Sequence, residues 1–425
     1  MALRFVVSIT GGGSAFISDY LAVPGASGSL IEALVPYSRA AMDAFLGRTP
    51  ESYCSETTAR LIASAAYARA RTLEPENDPD ALLGIGATAS IVADRPKKGK
   101  RRAFCAAISR RGVFSASIWL GERARTRAEE ERIVADFILS TALFAARKLK
   151  SLSDATWRVF SETLLEPVKD ADSLETPASI SWVLLDSDGA DFLYGRKDGA
   201  PAVLRALRWN DGKMDRAATS GGETLVVSDS LEGALATPKL CERQPDSLRR
   251  VIFPGSFNPP HEGHAQIVAA AERRLGAPLE FEISARNVDK PPLDALELLQ
   301  RVKSLAEKFP GKSVWISNTP RFLEKAELAP RSTFVVGADT ILRLGDPRYA
   351  GDSPERRDAI VARLAELGAR FLVFPRMKDG RAATSEELAR LLPPALADLC
   401  EVAPDQVAEI SSTELRAAAR RFPNA

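Results

Sequence analysis

The 425-residue chain holds two histidines, His261 and His264, and both lie in the stretch "VIFPGSFNPPHEGHAQIV". Proline lacks an N–H group and so suits the entrance of a helix, where the first donors have no partner in any case. Pro259 and Pro260 therefore predict a helix that starts near the histidines and stops near Gly276, with Gly255 freeing the backbone just before it. At i and i+3 the two imidazoles share one face of its first turn. That end of a helix carries free N–H groups and a partial positive charge of roughly half a unit, a natural seat for phosphate. A zinc protease needs H-E-x-x-H, and the H-E-G-H here fails that spacing. A metal site built from two histidines and carboxylates would be thin, so no metal ligands are assigned. Surface or capping histidines are the plainer alternative.

The far end of the chain bears on that choice. In "AEISSTELRAAARR", Ser411 is followed three residues later by Glu414, the form of a capping box, so a second helix begins there. Its free N–H groups, the hydroxyls of Ser411, Ser412 and Thr413, and the Arg416 guanidinium can converge on an anion.

Together "GSFNPPHEGH" and "ISSTELR" resemble the nucleotidyltransferase superfamily with its (H/T)xGH and ISSTxxR signatures. Within the same region, "FVVGADTILRLGDPRY" and "FLVFPRM" resemble segments of the nicotinate mononucleotide adenylyltransferases. The resemblance covers residues 249–425 and implies ATP plus a phosphorylated small-molecule acceptor giving an adenylylated product and pyrophosphate. It implies that His261, His264 and Arg416 act on the phosphates, with Gly255, Ser256, Phe257 and Asn258 against the nucleotide. Ser411, Ser412 and Thr413 would grip the triphosphate, Gly337 and Asp339 would border the adenosine, and Lys290 in "NVDKPPL" would hold the substrate phosphate. Asn258 stands where the usual adenylyltransferase has Asp. The incoming phosphate oxygen is already anionic and needs no general base, so the catalyst must align two anions and neutralise charge as pyrophosphate leaves. Mg²⁺ would arrive with ATP, bound mainly through phosphates.

The N-terminal half carries a second resemblance. "SITGGGSAF", "VPGAS" and "VPYSRAAM" are similar to the C-terminal domain of the CinA family, whose members deamidate nicotinamide mononucleotide. Ser8, Thr10, Tyr37 and Ser38 fall on its site motifs, and "GIGATAS" stands where the family has a loop. A serine nucleophile needs a base or a lowered pKa, and the family lysine is Met42 here. A retained pocket without deamidase activity is therefore expected. Two domains associated with pyridine nucleotides favour nicotinate or nicotinamide mononucleotide as acceptor, in the biosynthesis of NAD. Another acceptor or donor (phosphopantetheine, a cytidylyl group) and a non-catalytic nucleotide-binding regulator remain the alternatives.

The secondary structure around these residues reads as α/β throughout. In residues 1–150 short apolar runs alternate with helical patterns, ending in "ERIVADFILSTALFAARKLK", where Ile133, Val134, Phe137 and Ile138 recur at helical spacing. Residues 151–248 carry Asp-Gly pairs at 188–189, 198–199 and 211–212, which suit hairpin turns, so a small β-rich connector is expected. From 249, "RRVIF", "LEFEI", "SVWIS", "STFVV" and "RFLVF" are nearly continuous apolar runs, as in a Rossmann-like parallel sheet buried on both faces. Such sheets bind ligands beyond the carboxyl ends of their strands. Lys plus Arg is 57 against 56 for Asp plus Glu, so no charge asymmetry argues for nucleic acid or a membrane surface; "RPKKGKRR" reads as a solvated loop. Four scattered cysteines suggest reduced thiols, and no apolar run is long enough to cross a bilayer. A cytoplasmic homo-oligomer is the expectation.

Overall fold

The computed structural model describes residues 3–94, 99–121, 124–149, 179–184, 206–210, 213–216, 224–227, 238–241, 250–285, 293–375, 377–378, 381–382 and 385–404. Contacts divide the chain into two units, Met1–Ala190 and Asp191–Ala425.

The first unit is a mixed sheet. Its strands are β1 (Arg4–Thr10), β2 (Leu30–Leu34), β3 (Leu82–Ser90), β4 (Arg102–Ser109), β5 (Gly112–Trp119) and β6 (Ser179–Leu184), in the order β2-β1-β3-β4-β5-β6. β1 runs parallel to β2 and β3, and the other pairs are antiparallel. The helices are α1 (Ala15–Leu21), α2 (Arg39–Leu46), α3 (Glu56–Leu73) and α4 (Arg127–Lys148). Phe5, Val7 and Ile9, alternate residues of β1, share one apolar cluster with Val134, Phe137 and Ile138 of α4. The helical spacing expected for α4 holds, and Thr126 with Glu129 forms the capping box at its start. "GIGATAS" is not a loop but the body of β3. Its glycines are there for packing: a Cβ on Gly84 would stand 2.2 Å from the Ala63 carbonyl oxygen, and one on Gly86 2.3 Å from the Ala63 nitrogen, so α3 rides directly on the strand. Cys54, Cys105 and Cys400 are free thiols.

Among its described residues the second unit has ten strands in one sheet. They are β7 (Ala206–Asn210), β8 (Lys213–Arg216), β9 (Thr224–Val227), β10 (Pro238–Cys241), β11 (Val251–Pro254), β12 (Leu279–Ser284), β13 (Val314–Ser317), β14 (Thr333–Gly337), β15 (Arg370–Phe374) and, after a small pair β16 (Met377–Lys378) and β17 (Arg381–Ala382), β18 (Cys400–Val402). The main helices are α5 (Glu262–Leu275), α6 (Ala295–Lys308), α7 (Phe322–Leu328), α8 (Ala338–Gly345) and α9 (Pro354–Glu366). The order is β10-β9-β8-β7-β13-β12-β11-β14-β15-β18, and the six strands from β13 to β18 are parallel. Chain order therefore reverses between β11 and β14, which places the topological switch point there.

The described strands of the expected connector are shared out between the units. β6 pairs with β5, and β7 pairs antiparallel with β13. Each satisfies backbone groups that an edge strand would leave open. β7 pairs antiparallel with β8, with Asn210 opposite Lys213; the Asp-Gly pairs expected to make turns lie outside the described residues. No helix among the described residues is long and apolar enough to cross a membrane.

Candidate functional site

The stretch "VIFPGSFNPPHEGHAQIV" lies at the switch point. β11 ends at Pro254, and the Gly255 N–H donates to the Glu282 carbonyl of β12 at 2.9 Å, carrying the pairing one residue past the strand. Phe257 then turns inward with a φ of +43° and is 1% exposed. A non-glycine residue at positive φ costs roughly 1–3 kcal/mol, so surrounding contacts must hold it. Its ring stands edge-on to Phe253, Phe281 and His264, with centroids 5.3, 5.1 and 5.0 Å away. Position 255 must be glycine because a Cβ there would lie 2.6 Å from the Phe257 ring.

His261 caps α5, with φ −141° and ψ 177°, and its backbone N–H donates to Nδ1 of His264 at 3.0 Å. Since Nδ1 accepts, the neutral His264 ring carries its proton on Nε2. Burial, with smaller contributions from His261 and Lys308, lowers its pKa to about 3, so the ring is a neutral donor near pH 7. The two imidazoles stack with centroids 3.7 Å apart. Nδ1 of His261 is buried and has no hydrogen-bond partner among the described residues. Burial also lowers the His261 pKa, and Lys308 adds to that. The Lys308 ammonium is 3.5 Å from the Glu262 carboxylate.

Two features here were not found from the sequence. Arg301 of α6 donates from Nη1 to the Ser256 carbonyl at 3.0 Å and from Nη2 to Glu297 at 2.5 Å. The i, i+4 spacing of Glu297 and Arg301 signals an ion pair on a helix but not its contact with this loop. The second is a buried ion pair. Lys325 Nζ lies 2.7 Å from Glu282 Oε1, with side chains 7% and 6% exposed, and Ser317 also donates to that oxygen. The pair stands at the carboxyl ends of β12 and β13.

Gly337 closes β14, next to β11 in the sheet, and a Cβ there would meet no atom within 4 Å. Asp339 is exposed in the first turn of α8. The fold thus sets 255–258, His261 and His264 at the end of one strand and Gly337 and Asp339 at the end of its neighbour. Lys290, Ser411, Ser412, Thr413 and Arg416 lie outside the described residues.

The first unit has its own strand–turn–helix entrance, and its chemistry is different. Thr10, Tyr37, Arg127 and Glu131 line a cavity of about 530 Å³. Thr10 donates to the Pro36 carbonyl at 3.1 Å, and Arg127 donates to the Tyr37 hydroxyl at 3.3 Å. Ser8 is not with them: it is 0% exposed within β1, and its hydroxyl has no partner among the described residues. Ser38 caps α2, accepting from the Ala41 N–H at 3.1 Å. Met42, at the position of the family lysine, is 2% exposed. The Glu131 carboxylate takes the donors of the glycine turn, accepting from the Ser14 N–H and hydroxyl at 2.6 Å each. Burial pushes its carboxyl up, but hydrogen bonds from the Ser14 hydroxyl and the N–H groups of Gly13, Ser14 and Ala15 outweigh that and hold it below its usual range.

Comparison with known proteins bears on both units. Residues 252–418 match the model of the cytidylyltransferase-like family, so the C-terminal half carries a nucleotidyltransferase domain. No curated protein matches the chain. Among solved structures, the N-terminal region is similar to a competence-damaged (CinA) superfamily protein from Escherichia coli, at 18% identity and TM-score 0.28, covering 33% of this chain and 79% of that one. A competence or damage-inducible protein from Enterobacter asburiae is similar at 18% identity and TM-score 0.28, covering 34% and 87%. One from Agrobacterium tumefaciens is similar at 18% identity and TM-score 0.27, covering 33% and 86%.

Proposed function

We propose that the C-terminal domain transfers the adenylyl group of ATP to the phosphate of nicotinate or nicotinamide mononucleotide and releases pyrophosphate. One observation carries most of the reading: the α5 entrance presents a neutral His264 with its proton on Nε2, at the switch point of a parallel sheet. A neutral N–H donor and free helix N–H groups suit phosphate oxygens.

In the reaction a phosphate oxygen of the acceptor attacks the α-phosphorus of ATP, and the bond from that phosphorus to the pyrophosphate oxygen breaks. The His264 N–H would donate to an oxygen whose charge grows as the bond breaks, which is where preorganised donors contribute most. His261 would donate beside it, and the 255–258 backbone would lie against the nucleotide, with Gly337 and Asp339 towards the adenosine. Ser411, Ser412, Thr413 and Arg416 would close on the triphosphate, and Lys290 would hold the acceptor phosphate. The described donors of the site are imidazole and backbone N–H, a set that fits phosphate, so Mg²⁺ would be carried on phosphate oxygens and neutralise their charge. In the N-terminal unit a buried Ser8 and an apolar Met42 favour a pocket that binds without hydrolysing.

A pyrophosphate-release screen of ATP and CTP against phosphorylated acceptors tests the reading. ATP with a pyridine mononucleotide should give turnover that His264→Ala removes. Turnover with CTP alone would favour the second reading, a cytidylyl donor, which the name of the matching family supports. Release that is indifferent to His264 would end the assignment of this site.

A further inference from the structure

We infer that Arg301 is a positioning residue for the phosphate-facing loop, an inference that rests on the nucleotidyltransferase reading of this site. The loop 255–258 is held from two sides. From within, the Phe257 ring is buried among Phe253, Phe281 and His264, which fixes the strained backbone at 257. From outside, the peptide just before it is held through its carbonyl by Arg301 Nη1 at 3.0 Å. The residue bearing that carbonyl, Ser256, is exposed, so water would otherwise take the place of the guanidinium.

The guanidinium is itself held in place. Leu298, Val302 and Leu305 bury one stripe of α6, and Arg301 emerges beside it with its side chain 12% exposed. Glu297, one turn earlier, takes Nη2 at 2.5 Å. Nε is buried with no partner among the described residues. A planar guanidinium can serve a carboxylate and a carbonyl at once in fixed directions, which an ammonium on a flexible stem cannot do. The chain Glu297–Arg301–Ser256 carbonyl therefore sets where the 256–257 peptide stands, and through Phe257 the packing of the His264 ring.

The test compares wild type, Arg301→Ala, Arg301→Lys and Glu297→Ala by pyrophosphate release and by the ¹⁵N signals of the two imidazoles. Arg301→Ala should lower kcat at least tenfold, more than it raises the KM for the nucleotide. Guanidinium ion at non-denaturing concentration should restore part of that loss. Arg301→Lys should fall between, Glu297→Ala should act in the same direction, and the double alanine variant should lose little beyond Arg301→Ala. Kinetic constants in Arg301→Ala within twofold of wild type would overturn the inference while leaving the transferase reading intact. If the wild type releases no pyrophosphate with any donor, that reading fails, and the imidazole signals still decide: a His264 signal unmoved by Arg301→Ala overturns the positioning role, and one that moves and returns with guanidinium upholds it.

Discussion

The two units each contain a strand that runs through a glycine-bearing turn into a helix, and they meet the N–H groups of that turn with different side chains. In the first, the donors at Gly13, Ser14 and Ala15 are taken by the chain's own Glu131. In the second, the helix cap is made by an imidazole that accepts on one nitrogen and keeps a proton on the other. A β–turn–α entrance is therefore not a phosphate site by virtue of its backbone alone. What differs is the side chain that meets those donors, an anionic carboxylate in the first unit and a neutral imidazole in the second.

Substitutions in each unit test that contrast. The largest effect should come from His264→Ala, with nucleotidyl transfer falling about a hundredfold to a thousandfold, as when one preorganised donor is lost. Ser8→Ala should leave transfer untouched; equal losses in both would erase the contrast. Glu131→Ala should cost the first unit about 1–3 kcal/mol, because N–H groups lose their acceptor. It should also create a response of the first unit's thermal transition to inorganic phosphate that the same unit of the wild type lacks. A variant still indifferent to phosphate would mean that the turn is no anion cradle even when vacated. Gly337→Ala has room for its methyl, so its urea midpoint should match wild type while the KM for the nucleotide rises severalfold. An unchanged KM would remove Gly337 from the site.

A further effect lies in pH. With its folded pKa depressed to about 3 from 6.5, His264 leaves the unfolded chain binding more protons between those values. Stability from this group is full above pH 6.5 and is lost as pH falls towards 3, and in His264→Gln that slope should flatten. The depressed Glu131 carboxyl behaves similarly lower down: its contribution is present above its unfolded pKa, near 4.5, and lost as pH falls through its folded value. Stability curves of the two variants that kept the wild-type slopes would contradict both assignments.

The parallel sheet was legible because β11 and β13 to β15 are largely buried and read as nearly continuous apolar runs, while β12 is as buried but carries Glu280 and Glu282 between its apolar residues. β2 was not, since "LIEAL" is only partly buried along its length and carries Glu32 at its centre. In "GIGATAS" the reason for the glycines was hidden: they are required by the approach of α3, and a sequence does not distinguish that need from the need for a turn. At the site, the proline pair announced the helix entrance and its histidines. Arg301 stayed hidden because its partner is a backbone carbonyl whose direction depends on how Phe257 packs. The Glu282–Lys325 pair was hidden too, because its partners are 43 residues apart and meet only when β12 and α7 are in place.

The pairing of β7 with β13 bears on how the protein can be divided. A fragment begun at residue 249 would strip β13 of the neighbour that covers its backbone, leaving a flat row of amides and carbonyls able to recruit another chain. The same transferase half begun upstream of Ala206 would keep that border sealed, so the longer piece should stay dispersed at concentrations where the shorter one self-associates.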